Sequence, residues 1–406
     1  MAQCRSVAVG LWLIAGSRDE APHEGGMTHF CEHLLFKGTP SRHWREIATA
    51  ISLMGGQFNA VTCTDWVKVY GHVIRKDLPD ALSLIADMFT RSAFPNEEVE
   101  RERSVILEEI AMYEDIPDDL CQETFQQALM LPHPVGRPVI GTTDSVGGFT
   151  RDALAEYWQR HLNPASMILS IAGDVEEAEC FRLAEQALGW LTPKPSNTRV
   201  EPPVKGAAGR AILSRPIEQI NFAFGCVGPS RQSEDRWAWA AYDTILGAGM
   251  GSRLFDEVRE KRGLAYGISS AINAMDHAGF LSIAGSTRPD TAALALQVCD
   301  EEVRKLAHDG LRPKELDTAI RQLERSHLLG MESLGLRNSL NGERLLHGIP
   351  YMTSDEVVAR LHSITEAEVL AVAQQVVRSW PPAVCIVGPV RKAKGLQKTI
   401  DAMGKA

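Results

Sequence analysis

Two histidines and a glutamate lie within five consecutive residues near the start of the chain. The segment H-F-C-E-H spans 29–33, inside an apolar stretch that predicts a helix near 27–36. At about 100° per residue the two histidines project about 40° apart, and Glu32 lies about 60° from His29, so all three side chains point into one sector. Two imidazoles at this spacing suit Zn²⁺, and a neighbouring carboxylate can take a proton from water.

The alternative interpretation is a chance grouping of these side chains on a core or solvated helix face. The apolar residues Phe30, Leu34, Leu35 and Phe36 indicate a half-buried helix, where two histidines and a carboxylate need a reason to be desolvated together. We therefore favour a metal site. Cys31 projects about 200° from His29, which predicts a core position rather than a ligand.

A catalytic zinc site needs a third protein ligand. The acidic run at 101–115 predicts a helix in which Glu102 and Glu109, seven positions apart, fall within about 20° on one face. Periodicity alone does not choose among Glu102, Glu108 and Glu109. The H-x-x-E-H pattern at 29–33 is the inverse of the H-E-x-x-H zinc signature and is typical of one class of metallopeptidases.

The composition is that of an ordinary globular protein. Of 406 residues, 44% are apolar and 23% charged, which excludes a disordered or collagen-like chain. The formal net charge of -10 argues against a general nucleic-acid binder and mildly favours cationic ligands. Eight cysteines without a C-x-x-C pair indicate reduced, mostly buried thiols. No apolar run approaches the ~18 residues of a membrane span, and no signal peptide is evident, so we expect a cytoplasmic protein.

The elements that must position the site are arranged in two similar halves. A Pro-rich stretch divides the chain into predicted domains at 1–195 and 208–406, joined by a linker at 196–207. The two halves show the same order of elements: a strand (7–15 and 220–227), an apolar helix (near 27–36 and at 237–246), a second helix (near 44–54 and near 252–261), a hairpin, and then a helix that starts at Pro-Asp. Strands mix with helices without strict βαβ alternation, so we predict an α+β fold with two similar domains, each a mainly antiparallel sheet covered by helices.

Five motifs in order resemble the pitrilysin and insulysin-type zinc peptidases, and most closely the branch that includes mitochondrial processing peptidase and its bacterial relatives. The motifs are G-S-R-D-E at 16–20, G-M-T-H-F-C-E-H-L-L-F-K-G-T at 26–39, G-G-Q-F-N-A-V-T at 55–62, E-R-S-V-I-L-E-E-I at 102–110 and S-R-L-F-D-E-V-R-E-K-R-G-L-A-Y at 252–266. The resemblance spans nearly the whole chain.

The resemblance assigns roles that spacing alone leaves open. It implies Glu109 as the third zinc ligand beside His29 and His33, with Glu32 as the catalytic base. It implies that Glu102 supports catalysis by orienting a ligand or a water molecule. It also implies substrate-binding residues, which are Arg262 and Tyr266 in the second half and, on an edge strand that pairs with substrate, Asn59, Ala60 and Thr62.

The resemblance further implies a zinc-dependent endopeptidase that cleaves peptides or unfolded segments. We expect one zinc per chain, because the helix at 237–246, which mirrors the zinc helix, contains neither His nor Glu. Family members of this length close into a chamber as two chains, which predicts a homodimer. An obligate heterodimer with an inactive partner and a non-catalytic assembly subunit are the alternatives. The family usually has a further strand before the first one seen here, so the start of this chain is a possible truncation.

Overall fold

The computed structural model of the chain describes residues 4–195, 199, 204–379 and 382–403. The described residues form nine strands, which are β1 (Ser6–Leu13), β2 (Gln57–Thr62), β3 (Val67–Ile74), β4 (Met167–Gly173), β5 (Arg210–Ser214), β6 (Ile220–Val227), β7 (Ala265–Ala274), β8 (Gly279–Thr287) and β9 (Ala383–Gly388). They also form fifteen α-helices, which are α1 (Met27–Leu34), α2 (Trp44–Met54), α3 (Leu78–Arg91), α4 (Asn96–Asp115), α5 (Pro117–Met130), α6 (Thr143–Gly148), α7 (Arg151–His161), α8 (Glu177–Leu188), α9 (Arg236–Leu246), α10 (Ala292–Asp309), α11 (Glu315–Gly330), α12 (Leu334–Leu346), α13 (Ser354–His362), α14 (Glu366–Arg378) and α15 (Leu396–Ala402). The mixture of helices and mainly antiparallel sheets confirms the predicted α+β class.

The chain forms two compact units, and each contains a segment from the other half of the sequence. The first unit comprises 1–111, 137–201 and 329–351, and the second comprises the rest. The segments 112–136 and 329–351 thus pack outside the predicted domains to which their sequence positions belong. Of the predicted linker, 196–198 and 200–203 lie outside the described residues.

The first unit is built on a four-stranded antiparallel sheet with the strand order β2-β3-β1-β4. Alternate side chains of β1, from Val7 to Leu13, are fully buried against the helices on one face of the sheet. The order β1, α1, α2, hairpin, α3 follows the prediction, and α2 has the predicted bounds of 44–54. Because β2 is an edge strand, its outer backbone groups face away from the sheet.

The opposite face of this sheet is covered by α12, which comes from the second half of the sequence. Asn338 on α12 donates hydrogen bonds from Nδ2 to the backbone oxygens of Ala8, at 3.2 Å, and Ser170, at 2.6 Å. Trp12 projects from β1 toward α12 and is fully buried. Helix α12 therefore links β1 and β4 on this face of the sheet.

The second unit repeats this plan with a five-stranded sheet in the order β5-β9-β6-β8-β7. The added strand β5 pairs with β9 in parallel, whereas the other pairs are antiparallel. Helices α9, α10 and α14 contribute to the core on one face, while α5 covers the other face with the buried residues Cys121 and Phe125.

One predicted helix has a different geometry in this unit. The helix expected near 252–261 is, over Phe255–Glu260, a π-helix. Its hydrogen bonds include one from the Lys261 N–H to the Asp256 carbonyl, five residues earlier.

The eight cysteines are all free thiols, in agreement with the sequence. Among the described helices, none combines the length and apolar character needed to cross a bilayer.

Candidate active site

Helix α1 carries the two histidines on the side that faces away from its core contacts. Phe30, Cys31 and Leu34 are fully buried in the core of the first unit. The 3.6-residue period then places His29 and His33 together on another side, where their ring centroids are 4.7 Å apart. His29 is 9% exposed, and His33 is half-buried. The apolar pattern of the helix thus positions a half-enclosed pair of imidazoles.

Helix α4 brings a carboxylate to this pair. Glu109 Oε2 lies 3.8 Å from His29 Nε2 and 3.5 Å from His33 Nε2. Both separations are longer than ordinary hydrogen bonds. They are close to the separation of about 3.4 Å expected for ligands bound tetrahedrally at about 2.1 Å from one zinc ion. Among the described residues, these three form the one group whose ligand atoms all lie within 4.8 Å of one another.

The chemistry of this donor set fits a zinc ion. Burial, together with the neighbouring His33, lowers the pKa of His29 to about 3, so the imidazole is neutral at physiological pH. The neutral form is the one that binds metal. Within the described structure His29 Nδ1 is buried without a hydrogen-bond partner, so the ring is held by packing. Two imidazoles and one carboxylate match the three protein ligands of catalytic zinc sites.

Glu32 lies on the same helix and is oriented by strand β2. The Thr62 hydroxyl donates a hydrogen bond of 2.6 Å to Glu32 Oε2. Burial raises the pKa of Glu32, and the negative charge of Glu109 adds to this increase, whereas the Thr62 hydrogen bond opposes it. A carboxylate with a raised pKa is a stronger base than an exposed one, which suits proton transfer.

Glu102 contacts one of the histidines from the side opposite Glu109. Its Oε2 accepts a hydrogen bond of 3.1 Å from His33 Nδ1, and its Oε1 lies 2.6 Å from Lys37 Nζ. Burial acts to raise the pKa of Glu102, but the bonds from His33 and Lys37 outweigh it and the pKa is lowered. With the proton on Nδ1, the Nε2 lone pair of His33 faces Glu109, as a metal ligand requires.

The sequence did not identify Lys37 as part of this cluster. The available signal was its position four residues after His33, although α1 ends at Leu34 and Lys37 lies in the following turn. Lys37 supplies a positive charge to a carboxylate that is only 4% exposed. A buried carboxylate without such a partner would be costly.

The predicted edge-strand residues lie on β2, adjacent to α1. Asn59 is exposed, and its Oδ1 accepts a hydrogen bond from its neighbour's backbone, the N–H of Ala60. Ala60 is buried in the core. The side chain of Thr62 donates a hydrogen bond to Glu32, while its backbone belongs to the edge strand. Asn59 thus lies on the exposed side of β2, whereas Ala60 and Thr62 share the side that faces the core and α1.

Arg262 and Tyr266 belong to the second unit, whereas the other predicted site residues belong to the first. Arg262 Nη1 donates hydrogen bonds to Glu257, at 2.5 Å to Oε2 and 2.8 Å to the backbone oxygen. Tyr266 is 83% exposed at the start of β7, and the Arg259 guanidinium lies 5.2 Å from its ring centroid. The sequence did not identify Glu257, because a partner five residues away is not expected in an α-helix.

Comparison with known proteins gives consistent results over nearly the whole chain. Residues 2–143 match the sequence model described as insulinase (peptidase family M16), and residues 148–323 match the one described as the peptidase M16 inactive domain. An uncharacterized zinc protease of Streptomyces coelicolor is 37% identical, with 98% of this chain and 88% of that protein covered. The uncharacterized zinc protease YmxG of Bacillus subtilis is 33% identical over 91% of this chain and 90% of its own length.

Two solved structures share the fold. One is the crystal structure of a peptidase M16 inactive domain from Pseudomonas fluorescens, with a TM-score of 0.89, 22% identity and coverage of 95% of this chain and 93% of that one. The other, a protease from Helicobacter pylori, has a TM-score of 0.88, 21% identity and coverage of 95% and 94%.

Proposed function

Since this chain belongs to the insulinase family of peptidases, peptidase family M16, we propose that it is a zinc-dependent endopeptidase of the processing-peptidase type. Its substrates would be peptides or unfolded segments. The observation that carries the proposal is the convergence of His29, His33 and Glu109 on one point, with Glu32 one residue away from a ligand. A zinc peptidase needs this combination of a metal site and an adjacent base.

In the proposed reaction, His29 Nε2, His33 Nε2 and Glu109 Oε2 hold one zinc ion per chain. When bound, zinc supplies a Lewis acid that polarises a peptide carbonyl and makes water more acidic. Glu32 takes the proton from the attacking water and later passes it to the leaving amine. Thr62 holds the Glu32 carboxylate in one orientation, and Glu102 keeps the proton of His33 on Nδ1.

The substrate is proposed to bind in an extended conformation along β2. Backbone groups of Asn59, Ala60 and Thr62 would extend the sheet by one strand, which recognises the peptide backbone and tolerates many side chains. Arg262 and Tyr266 are proposed as further contacts to the substrate backbone. The chain is proposed to work as a homodimer that forms a closed chamber, a property that would select short or unfolded substrates.

Zinc content and peptide cleavage test this proposal together. We expect about one zinc per chain in wild type and in Glu32→Gln, and cleavage of an unstructured basic peptide by wild type alone. Glu98→Gln is the matched control, because Glu98 is a buried glutamate on α4 that pairs with Arg101 and should not affect cleavage. Unchanged turnover in Glu32→Gln would refute the role of Glu32. If wild type binds zinc but none of its size-exclusion peaks is active, a partner chain is missing. If wild type binds no zinc, the chain is a non-catalytic subunit.

A further inference from the structure

The N-terminus of α1, the helix with both histidines, is capped from a distance. The residue at its N-cap is Gly26, with φ +95°, so this position has no side chain to accept hydrogen bonds from the first turn. A Cβ at Gly26 would lie 2.8 Å from the Ile140 carbonyl oxygen and from the Gly141 Cα. The usual capping residues Ser, Thr and Asp therefore do not fit there.

Glu20 supplies the missing acceptors. Its Oε2 accepts a hydrogen bond of 2.9 Å from the Gly26 N–H, and its Oε1 accepts one of 2.8 Å from the Thr28 N–H. The side chain is 3% exposed. Both oxygens are thus used on backbone amides at the end of the helix where the dipole favours a negative charge.

The segment that carries Glu20 is itself fixed by neighbouring residues. Arg137 donates a hydrogen bond to the Glu20 backbone oxygen, and the Ser145 hydroxyl donates one of 2.7 Å to the Gly25 oxygen. The Thr28 hydroxyl lies 2.6 Å from the Tyr157 hydroxyl, within hydrogen-bond distance. Glu20 therefore has little freedom to move, and its two bonds locate the first turn of α1 along the helix axis.

A buried carboxylate at this position has a cost that requires an explanation. Burial raises the pKa of Glu20 to about 7, and the bonds from Thr28 and Gly26 offset only part of that effect. A neutral side chain would avoid this cost. The charged form gains two hydrogen bonds to the N-terminus of α1. One of them comes from the N–H of Thr28, the residue directly before the proposed ligand His29.

The position of α1 along its axis matters because the third ligand lies on a different helix. His29 and His33 are on α1, whereas Glu109 is on α4, and the three ligand atoms lie within 4.8 Å of one another. A helix of eight residues has little stability of its own. A shift of about 1 Å along the axis would alter both histidine distances to Glu109 together, and metal and catalytic sites tolerate about 0.5 Å.

We propose that Glu20 is a positioning residue that fixes α1 against α4 and thereby sets the affinity for zinc. This inference rests on the proposed function, because it assumes that His29, His33 and Glu109 bind the metal. It assigns a role to the last residue of the G-S-R-D-E motif. Glu20 acts through the helix backbone and touches neither the metal ligands nor the substrate.

The test compares Glu20→Gln with a matched control in the same loop. Glu24 is also a buried glutamate, but its carboxylate accepts bonds from Arg160 and the Ala21 N–H rather than from α1. For the full chain at pH 8, the zinc dissociation constant is measured by chelator competition, and the melting temperature is measured without metal. The visible absorption of Co²⁺ in place of Zn²⁺ reports the ligand geometry.

We expect Glu20→Gln to bind zinc at least about tenfold more weakly, with altered Co²⁺ bands, and Glu24→Gln to bind as wild type does. Glu20→Asp, which keeps the charge, should recover part of the affinity. Wild-type affinity and spectrum in Glu20→Gln, or an equal loss in Glu24→Gln, would overturn the inference while leaving the proposed function intact. Failure of wild type to bind zinc would overturn both. Because Glu20→Gln could fail to fold, hydrogen exchange in wild type is the second measurement, and rapid exchange of the Gly26 and Thr28 amides would refute the cap.

Discussion

The hydroxyl of Thr62 donates a hydrogen bond to Glu32, the proposed base, while the backbone of Thr62 forms part of β2. Removing the hydroxyl tests the first role without changing the second. In Thr62→Val the bond to Glu32 is lost, while the backbone of β2 is retained. Since a hydrogen bond to a charged group contributes roughly 1.5–3 kcal/mol, we expect kcat to fall by about tenfold or more and KM to change little. Steady-state kinetics measure both constants, with Thr62→Ser as the control that keeps the hydroxyl. A rise in KM alone would show that Thr62 acts on substrate binding instead.

Asp243 on α9 gives a pH dependence that is independent of the metal site. Burial raises its pKa from 3.8 to about 6, although the Ser270 hydroxyl donates a bond of 2.5 Å that opposes the shift. Because the native state holds this proton more tightly than the unfolded state, the free energy of unfolding falls as pH rises from about 4 to about 6.

We therefore expect Asp243→Asn to become more stable relative to wild type as pH increases. The relative gain between pH 4.5 and 7.5 should be about 2 kcal/mol, by the linkage between pKa and stability. Urea unfolding of both proteins across this range measures it. A constant difference between the two proteins would show that Asp243 ionises in the native state as it does in the unfolded chain.

At the scale of elements, the sequence pattern predicts the bounds of several helices and strands, but it does not predict which glutamate is the third zinc ligand. The helix at 44–54 and the strand at 220–227 were predicted with the observed bounds, because an apolar period and flanking turn residues define them. The choice of Glu109 over Glu102 and Glu108 needed the family resemblance. All three lie on one helix, and only the packing of α4 against α1 shows that Glu109 faces both Nε2 atoms while Glu102 faces His33 Nδ1.

The π-helix at 255–260 is the element that the sequence could not distinguish from an α-helix, because its apolar residues fit either period. The wider turn brings Glu257 to Arg262, five residues later. The hydrogen bonds from Lys261 and Arg262 lower the pKa of Glu257 to about 2. The carboxylate is therefore charged at every working pH and holds the Arg262 side chain in place.

Together with the proposed contact between Arg262 and the substrate, this arrangement predicts that Glu257→Gln weakens substrate binding. We expect kcat/KM to fall by about tenfold, mainly through KM, with zinc content unchanged, since one charge-assisted hydrogen bond is weakened. Asp256→Asn is the matched control, because Asp256 lies in the same turn but pairs with Lys261. Equal effects of the two substitutions would show that the turn as a whole, rather than the Glu257 bond, positions Arg262.

At the scale of the molecule, the exchange of two helices between the halves was not predictable from the sequence. Helices α5 and α12 are both amphipathic, and an apolar face does not indicate which sheet it will cover. In the structure, Phe125 on α5 packs with Phe280 of the second unit, and Asn338 on α12 bonds to β1 and β4 of the first. The division into two similar halves therefore describes the sequence better than it describes the packing.

The exchange predicts that neither half folds alone. The fragment 1–195 lacks α12. In this fragment Trp12, which is fully buried in the complete chain, and the sheet face that α12 covers would both be exposed to solvent. At about 25 cal/mol per Å² of apolar surface, a face of a few hundred Å² corresponds to several kcal/mol, a large fraction of the stability of a domain. We expect 1–195 expressed alone to be aggregated or to bind a hydrophobic dye strongly. Co-expression with 196–406 should give a soluble complex of equal amounts with native tryptophan fluorescence. If 1–195 alone were monomeric, cooperative in unfolding and native in its tryptophan emission, the helix exchange would not be needed for folding.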